Sequence, residues 1–147
     1  MKCVFLISCV KTKKLSAAPA EEIYISYRFR RMRELVKATG CRWFILSAKH
    51  NLLAPDKTIE YYNQTLNGKS SRVRKAWAEK VKEQMDNELP CAETIVILAG
   101  KIYYEHLMPY LEERFGHANI KIPMKGMRNG EQLSWLKSAN VEDILPR

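Results

Sequence analysis

Three short apolar runs constrain this chain more than anything else in it: residues 4–7 (VFLI), 43–46 (WFIL) and 94–98 (TIVIL). Each is bounded by polar or turn-forming residues and is rich in branched or aromatic side chains, so each reads as a buried strand. Helical patterns separate them. Residues 20–38 place Ile23, Tyr27, Phe29, Met32, Leu35 and Val36 at helical spacing, and Gly40 follows as a C′ residue. Residues 72–87 carry Val73, Ala76, Trp77, Val81 and Met85 on one face, with Ser70 or Ser71 as the cap. A third helix is expected over residues 101–115, kinked or restarted at Pro109. A short strand at 120–123 and a last helix over 131–138 complete the pattern.

Strands joined through helices of this length pair in parallel, because a tight hairpin cannot connect them. Right-handed crossovers then bring every strand-to-helix loop to one edge of the sheet. The expected fold is one α/β domain spanning residues 1–147, with three layers, a mostly parallel sheet of about four to five strands and a Rossmann-like plan. Strands buried on both faces leave chemistry only beyond their carboxyl ends. Four loops should therefore meet there: residues 8–14, 47–63, 99–103 and 125–132.

The second of these loops is the richest. The 43–46 strand empties into Ser47, Lys49, His50 and Asn51, then Pro55-Asp56 and the pair Tyr61-Tyr62. His50 is the side chain nearest neutrality and a candidate proton mover. Asp56 or Asn63 is a candidate to position water, Lys49 to hold a phosphate, and Tyr62 to stack on a base. In the first loop, Ser8, Cys9 and Lys11 offer an anion site, and Cys9 is either a nucleophile favoured by Lys11 and Lys13 or a small buried residue. Gly100 and Tyr103 in the third loop, and Gly126, Arg128 and Gly130 in the fourth, allow close backbone approach and add charge.

Charge points the same way. Lysine and arginine outnumber acidic residues 25 to 16, a net of +9, which favours an anionic partner such as nucleic acid, nucleotide or phosphate. Neither GxxxxGK[ST] nor GxGxxG occurs, which weakens ATPase and dehydrogenase readings. The four cysteines include no CxxC pair, and the three histidines lie far apart, so no metal site or cofactor is indicated. His106 and His117 read as solvent-facing. The apolar stretch at the start is too short for a signal peptide and no run suits a membrane span, so a cytoplasmic protein without membrane attachment is expected. Oligomeric state is not legible.

Several motifs together resemble a group of small bacterial and phage proteins of unknown function: Ser8-Cys9-x-Lys11-x-Lys13, the Ile23-Tyr24 and Phe29 helix, residues 46–53 (LSAKHNLL) with Pro55-Asp56, Tyr62 with Thr65-Leu66, Ala99-Gly100-x-x-Tyr103, and residues 126–136. More distantly, LSAKHNLLAP is similar to the LSA-x-x-GLL-x-P motif of the YaaA peroxide-stress proteins. Asn51 stands where that motif has glycine, and asparagine tolerates a left-handed backbone, so the turn can survive. The resemblance implies a link to DNA protection or nucleobase chemistry and kinship with uracil-DNA-glycosylase-like folds. The helix-hairpin-helix of the YaaA proteins is not evident.

These readings converge on a protein acting on a nucleobase or nucleotide, free or in nucleic acid, with glycosylase-like hydrolysis of an N-glycosidic bond as the reaction. His50 would stabilise the leaving base, Lys11, Lys49 and Arg128 would bind phosphate, and Tyr62 or Tyr103 would stack on the ring. The alternative is a non-catalytic nucleic-acid- or nucleotide-binding module, led by Arg72, Arg74 and Lys75 of the second helix.

Overall fold

A computed structural model describes residues 2–146. Its central strand is β1 (Cys3–Ser8), buried along its whole length. Two parallel neighbours explain that burial: β3 (Arg42–Ser47) on one side, with Leu6 opposite Phe44, and β6 (Thr94–Leu98) on the other, with Leu6 opposite Ile97. A strand covered on both faces and both edges has no polar position to spare, hence the unbroken apolar run. The sheet order is β4 (Asn51–Leu53), β3, β1, β6 and β7, with β7 (Ile120–Lys121) parallel to β6. This is the expected mostly parallel α/β sheet, now with five strands.

β4 (Asn51–Leu53) is antiparallel to β3 and was not legible as a strand. Three residues cannot display an alternating pattern, and the turn before it is built from local polar bonds. Ser47 Oγ accepts from the His50 backbone N–H at 3.0 Å, and Asn51 adopts φ +64°, the left-handed conformation expected of asparagine here. The open edge of β4 is blocked by Gln84, whose Oε1 accepts from Leu52 N at 2.7 Å while its Nε2 donates to Leu52 O at 3.1 Å. A second small ribbon pairs β2 (Ala18–Pro19) with β5 (Thr58–Ile59), tethering the 55–59 segment to the start of the first helix.

The expected helix over 20–38 is two helices, α1 (Ala20–Ile23) and α2 (Tyr27–Thr39). Tyr24 is extended between them, bridged to Lys13 and fully buried, and Ser26 caps α2 by accepting from Phe29 N at 3.2 Å. Gly40 ends α2 in the left-handed conformation. α3 (Ser71–Glu88) is capped by Ser70. The third predicted helix restarts as anticipated: α4 (Lys101–Tyr104) is followed by α5 (Met108–Phe115), with Pro109 in its first turn. α6 (Asn129–Ser138) begins two residues before the expected start, because Glu131 Oε1 accepts from Arg128 N. A short α7 (Val141–Ile144), capped by Asn140, follows unforeseen.

From β1 the chain crosses to β3 on one side, and from β3 it returns past β1 to β6 and on to β7. With right-handed crossovers, that reversal places α2 on one face of the sheet and α3, α4 and α5 on the other. α6 and α7 pack against α2. The result is a three-layer domain around one buried apolar cluster. The loops after β1 and β6 leave for opposite faces, which opens a crevice between the carboxyl ends of these two strands. Among the described residues, no helix is long and apolar enough to cross a membrane.

Candidate ligand cleft

That crevice is occupied by a cleft of about 550 Å³. The end of β1 and the loop after it supply Ser8, Cys9, Lys11 and Lys13, and the turn after β6 with the start of α4 supplies Gly100, Lys101 and Tyr103. The 63–67 segment forms one wall through Asn63, Gln64, Thr65 and Asn67, and Arg28, Asn129 and Gln132 form another. Four cations and a set of side-chain amides therefore face one space, and among the described residues no carboxylate lines it. Amides present both donors and acceptors, the complement of a heterocyclic base edge.

Two of the cations are held in unusual settings. Lys13 is only 8% exposed. Its Nζ donates to Lys11 O at 2.8 Å and sits 4.4 Å from the Tyr62 ring centroid, with the rings of Tyr24 and Tyr61 each at 5.9 Å. No carboxylate pairs with it among the described residues, and burial pulls its pKa below the ordinary lysine value. Arg28, in the first turn of α2, is half-buried and donates to the Oε1 of Gln132, whose own Nε2 donates to Met127 O at 2.9 Å. Burial lowers its pKa as well. An arginine whose protein partner is a neutral amide retains donors and charge for an anionic ligand.

The floor is aromatic. Tyr103 Oη lies 3.5 Å from Cys9 Sγ, and its ring meets Trp77 edge-on at 5.7 Å. Trp77 Nε1 donates to Ser47 O at 2.8 Å. Behind Lys13, Tyr62 Oη is 2.6 Å from Tyr24 Oη and 2.9 Å from Ser47 Oγ. Burial raises the pKa of Tyr24, Tyr62 and Tyr103, with Cys9 adding to the effect, so all three phenols stay protonated in the neutral range.

Of the residues singled out from sequence, Ser8, Cys9, Lys11, Asn63, Gly100 and Tyr103 line the cleft. Ser47 and Tyr62 are buried beneath it. Lys49 lines a neighbouring hollow, Gly126 lines another, and Asp56 is exposed in the 55–57 turn. Arg128 and Gly130 are exposed at the start of α6, and neither lines the cleft. His50 does not line it either: its ring packs edge-on against Tyr62 at 5.5 Å, and its buried Nε2 has no hydrogen-bond partner. Burial, then Lys49 and Lys57, lowers its pKa. His117 is exposed, whereas His106 is only partly so and sits 3.5 Å from Glu105 Oε1. Among the helix cations, Arg74 is engaged by Glu105 at 4.0 Å and by Leu66 O at 3.1 Å.

Sequence reasoning overlooked Arg28, Gln64, Thr65, Asn67, Lys101, Asn129 and Gln132 as site residues. Arg28 sits inside a helical pattern that accounts for it as a surface position. The available signal was topological, since the first turn of the helix after β1 must border the crevice.

Comparison with curated proteins gave no match, and comparison with solved structures gave none. A family description matches residues 4–138, which take in every cleft residue named above. The chain belongs to DUF6884, a family of unknown function.

Proposed function

We propose that the cleft binds a nucleotide unit, with its phosphate on Arg28, Lys11 and Lys101 and its base against the amides of the 63–67 wall. The observation that carries this reading is the lining itself: four cations, a row of amides and no carboxylate, at the switch point of an α/β sheet. The similarity of residues 46–55 to the YaaA motif supports a nucleobase-related role. Titration calorimetry with a panel of nucleoside monophosphates tests the reading. At least one should bind, and Arg28→Met should weaken it about tenfold or more, the loss expected of a charge-assisted pair. Equal affinity in both proteins would argue against the assignment.

Hydrolysis at an N-glycosidic bond is a second reading, favoured by Lys13. A desolvated amine is neutral more often than an exposed one, and a neutral amine is a base. In this scheme Lys13 takes a proton from water as the water oxygen bonds to C1′. The C1′–N bond breaks, its electrons leave with the base, Tyr103 or a wall amide donates a hydrogen bond to the departing ring, and the base anion then takes the proton back from the Lys13 ammonium, directly or through water. Water thus adds across the bond to give free base and sugar.

A further inference from the structure

A second hollow adjoins the cleft and shares a wall with it, since Gln64 and Thr65 line both. It measures about 320 Å³ and lies between the β3–β4 turn and α3. Its charged residues are Lys49, Lys69 and Lys80, and again, among the described residues, no carboxylate lines it. None of these three lysines, and none of the four cations in the cleft, forms an ion pair among the described residues. The cations that do pair lie elsewhere, on Arg31, Lys37, Arg74, Lys82 and Arg128. Leaving Lys13 aside, six cations without a carboxylate partner among the described residues line two adjoining cavities, a continuous positive surface that suits a polyanion.

A mononucleotide fills the cleft and leaves the hollow without a use. We infer that the ligand is a single-stranded polynucleotide. One nucleotide enters the cleft, the strand passes over the Gln64–Thr65 ridge, and a neighbouring phosphodiester lies among Lys49, Lys69 and Lys80. Val73, Ala76 and Trp77 give the hollow an apolar side against which a sugar or base face can rest. A single strand suits the cleft because a base within a duplex must leave its stack to enter. This inference rests on the nucleotide reading of the cleft and names its substrate class.

Fluorescence anisotropy with labelled DNA and RNA strands of about ten nucleotides, alongside calorimetry with the mononucleotide that binds, tests it. The strand should bind about tenfold tighter than the mononucleotide or better, and the DNA and RNA arms identify which sugar is preferred. The double variant Lys69→Glu/Lys80→Glu should raise the strand's Kd about tenfold and flatten its salt dependence by about 1.4 logarithmic units per decade. Its mononucleotide affinity should stay within about twofold of the unaltered protein, because neither side chain lines the cleft. A strand that binds no tighter than the mononucleotide, or a variant that weakens both alike, overturns the inference and leaves the cleft reading intact. Failure of both ligands to bind the unaltered protein overturns both.

Discussion

Lys13 stands in the least ordinary setting of the cleft's cations, because its position removes part of what keeps a lysine charged. Water is largely excluded, no carboxylate compensates, and one carbonyl and three aromatic rings remain as company. The rings favour the ammonium while desolvation favours the amine, and the balance falls on the side of the amine relative to an exposed lysine. If Lys13 is the base, release of free nucleobase should rise with pH and level off once pH exceeds the pKa of Lys13 in the folded protein, which lies below the ordinary lysine value. Lys13→Met should reduce release by about a hundredfold or more, in the range of a lost general base, while nucleotide binding persists. His50→Ala should cost far less, since its imidazole is separated from the cleft by Tyr62 and does not line it. The opposite ranking, measured by chromatography of the released base, would return the role to His50. Sequence alone favoured His50 because histidine titrates near neutrality by default, whereas the perturbation of Lys13 exists only once Tyr62 and Tyr24 are folded around it.

At the scale of elements, the β3–β4 turn is where a single backbone angle decides whether a strand is added. Asn51 must hold φ +64° for residues 51–53 to run back along β3. Asn51→Val places a branched side chain in that conformation and should cost about 1–2 kcal/mol, whereas Asn51→Gly should stay within a few tenths of a kcal/mol, roughly neutral. Urea unfolding of the two variants checks this, and equal losses would mean that the asparagine side chain matters more than its backbone angle. The left-handed residue was legible because asparagine replaced glycine in a recognisable motif. The strand after it was not, since three residues show no alternation and the group that covers its outer edge, Gln84, lies 32 residues away. Similarly, the apolar periodicity of residues 20–38 runs straight through the break at Tyr24. What interrupts the helix is a bond to Tyr62 and a bridge to Lys13, both of them tertiary.

For the whole molecule, alternation of strands and helices was enough to place the loops on one edge, because chain connectivity and handedness leave few other arrangements. It was not enough to say which side chains reach the shared space. The loop after β3 was expected to supply its first residues, yet β4 turns them away. What arrives is the far end of that segment, residues 63–67, with Arg28 and Gln132 from helices that cross the same crevice. The reversal of strand order at β1, with β3 laid down on one side and β6 on the other, is thus the feature that locates the cleft, and local sequence only furnishes it. The most direct test is crystallographic: crystals of the protein soaked with the nucleoside monophosphate of highest affinity. The phosphate should appear within hydrogen-bond distance of Arg28 or Lys101, with the base against residues 63–65. A well-occupied nucleotide bound elsewhere on the molecule, with Arg28 still on Gln132 and the crevice between β1 and β6 unfilled, would contradict the account.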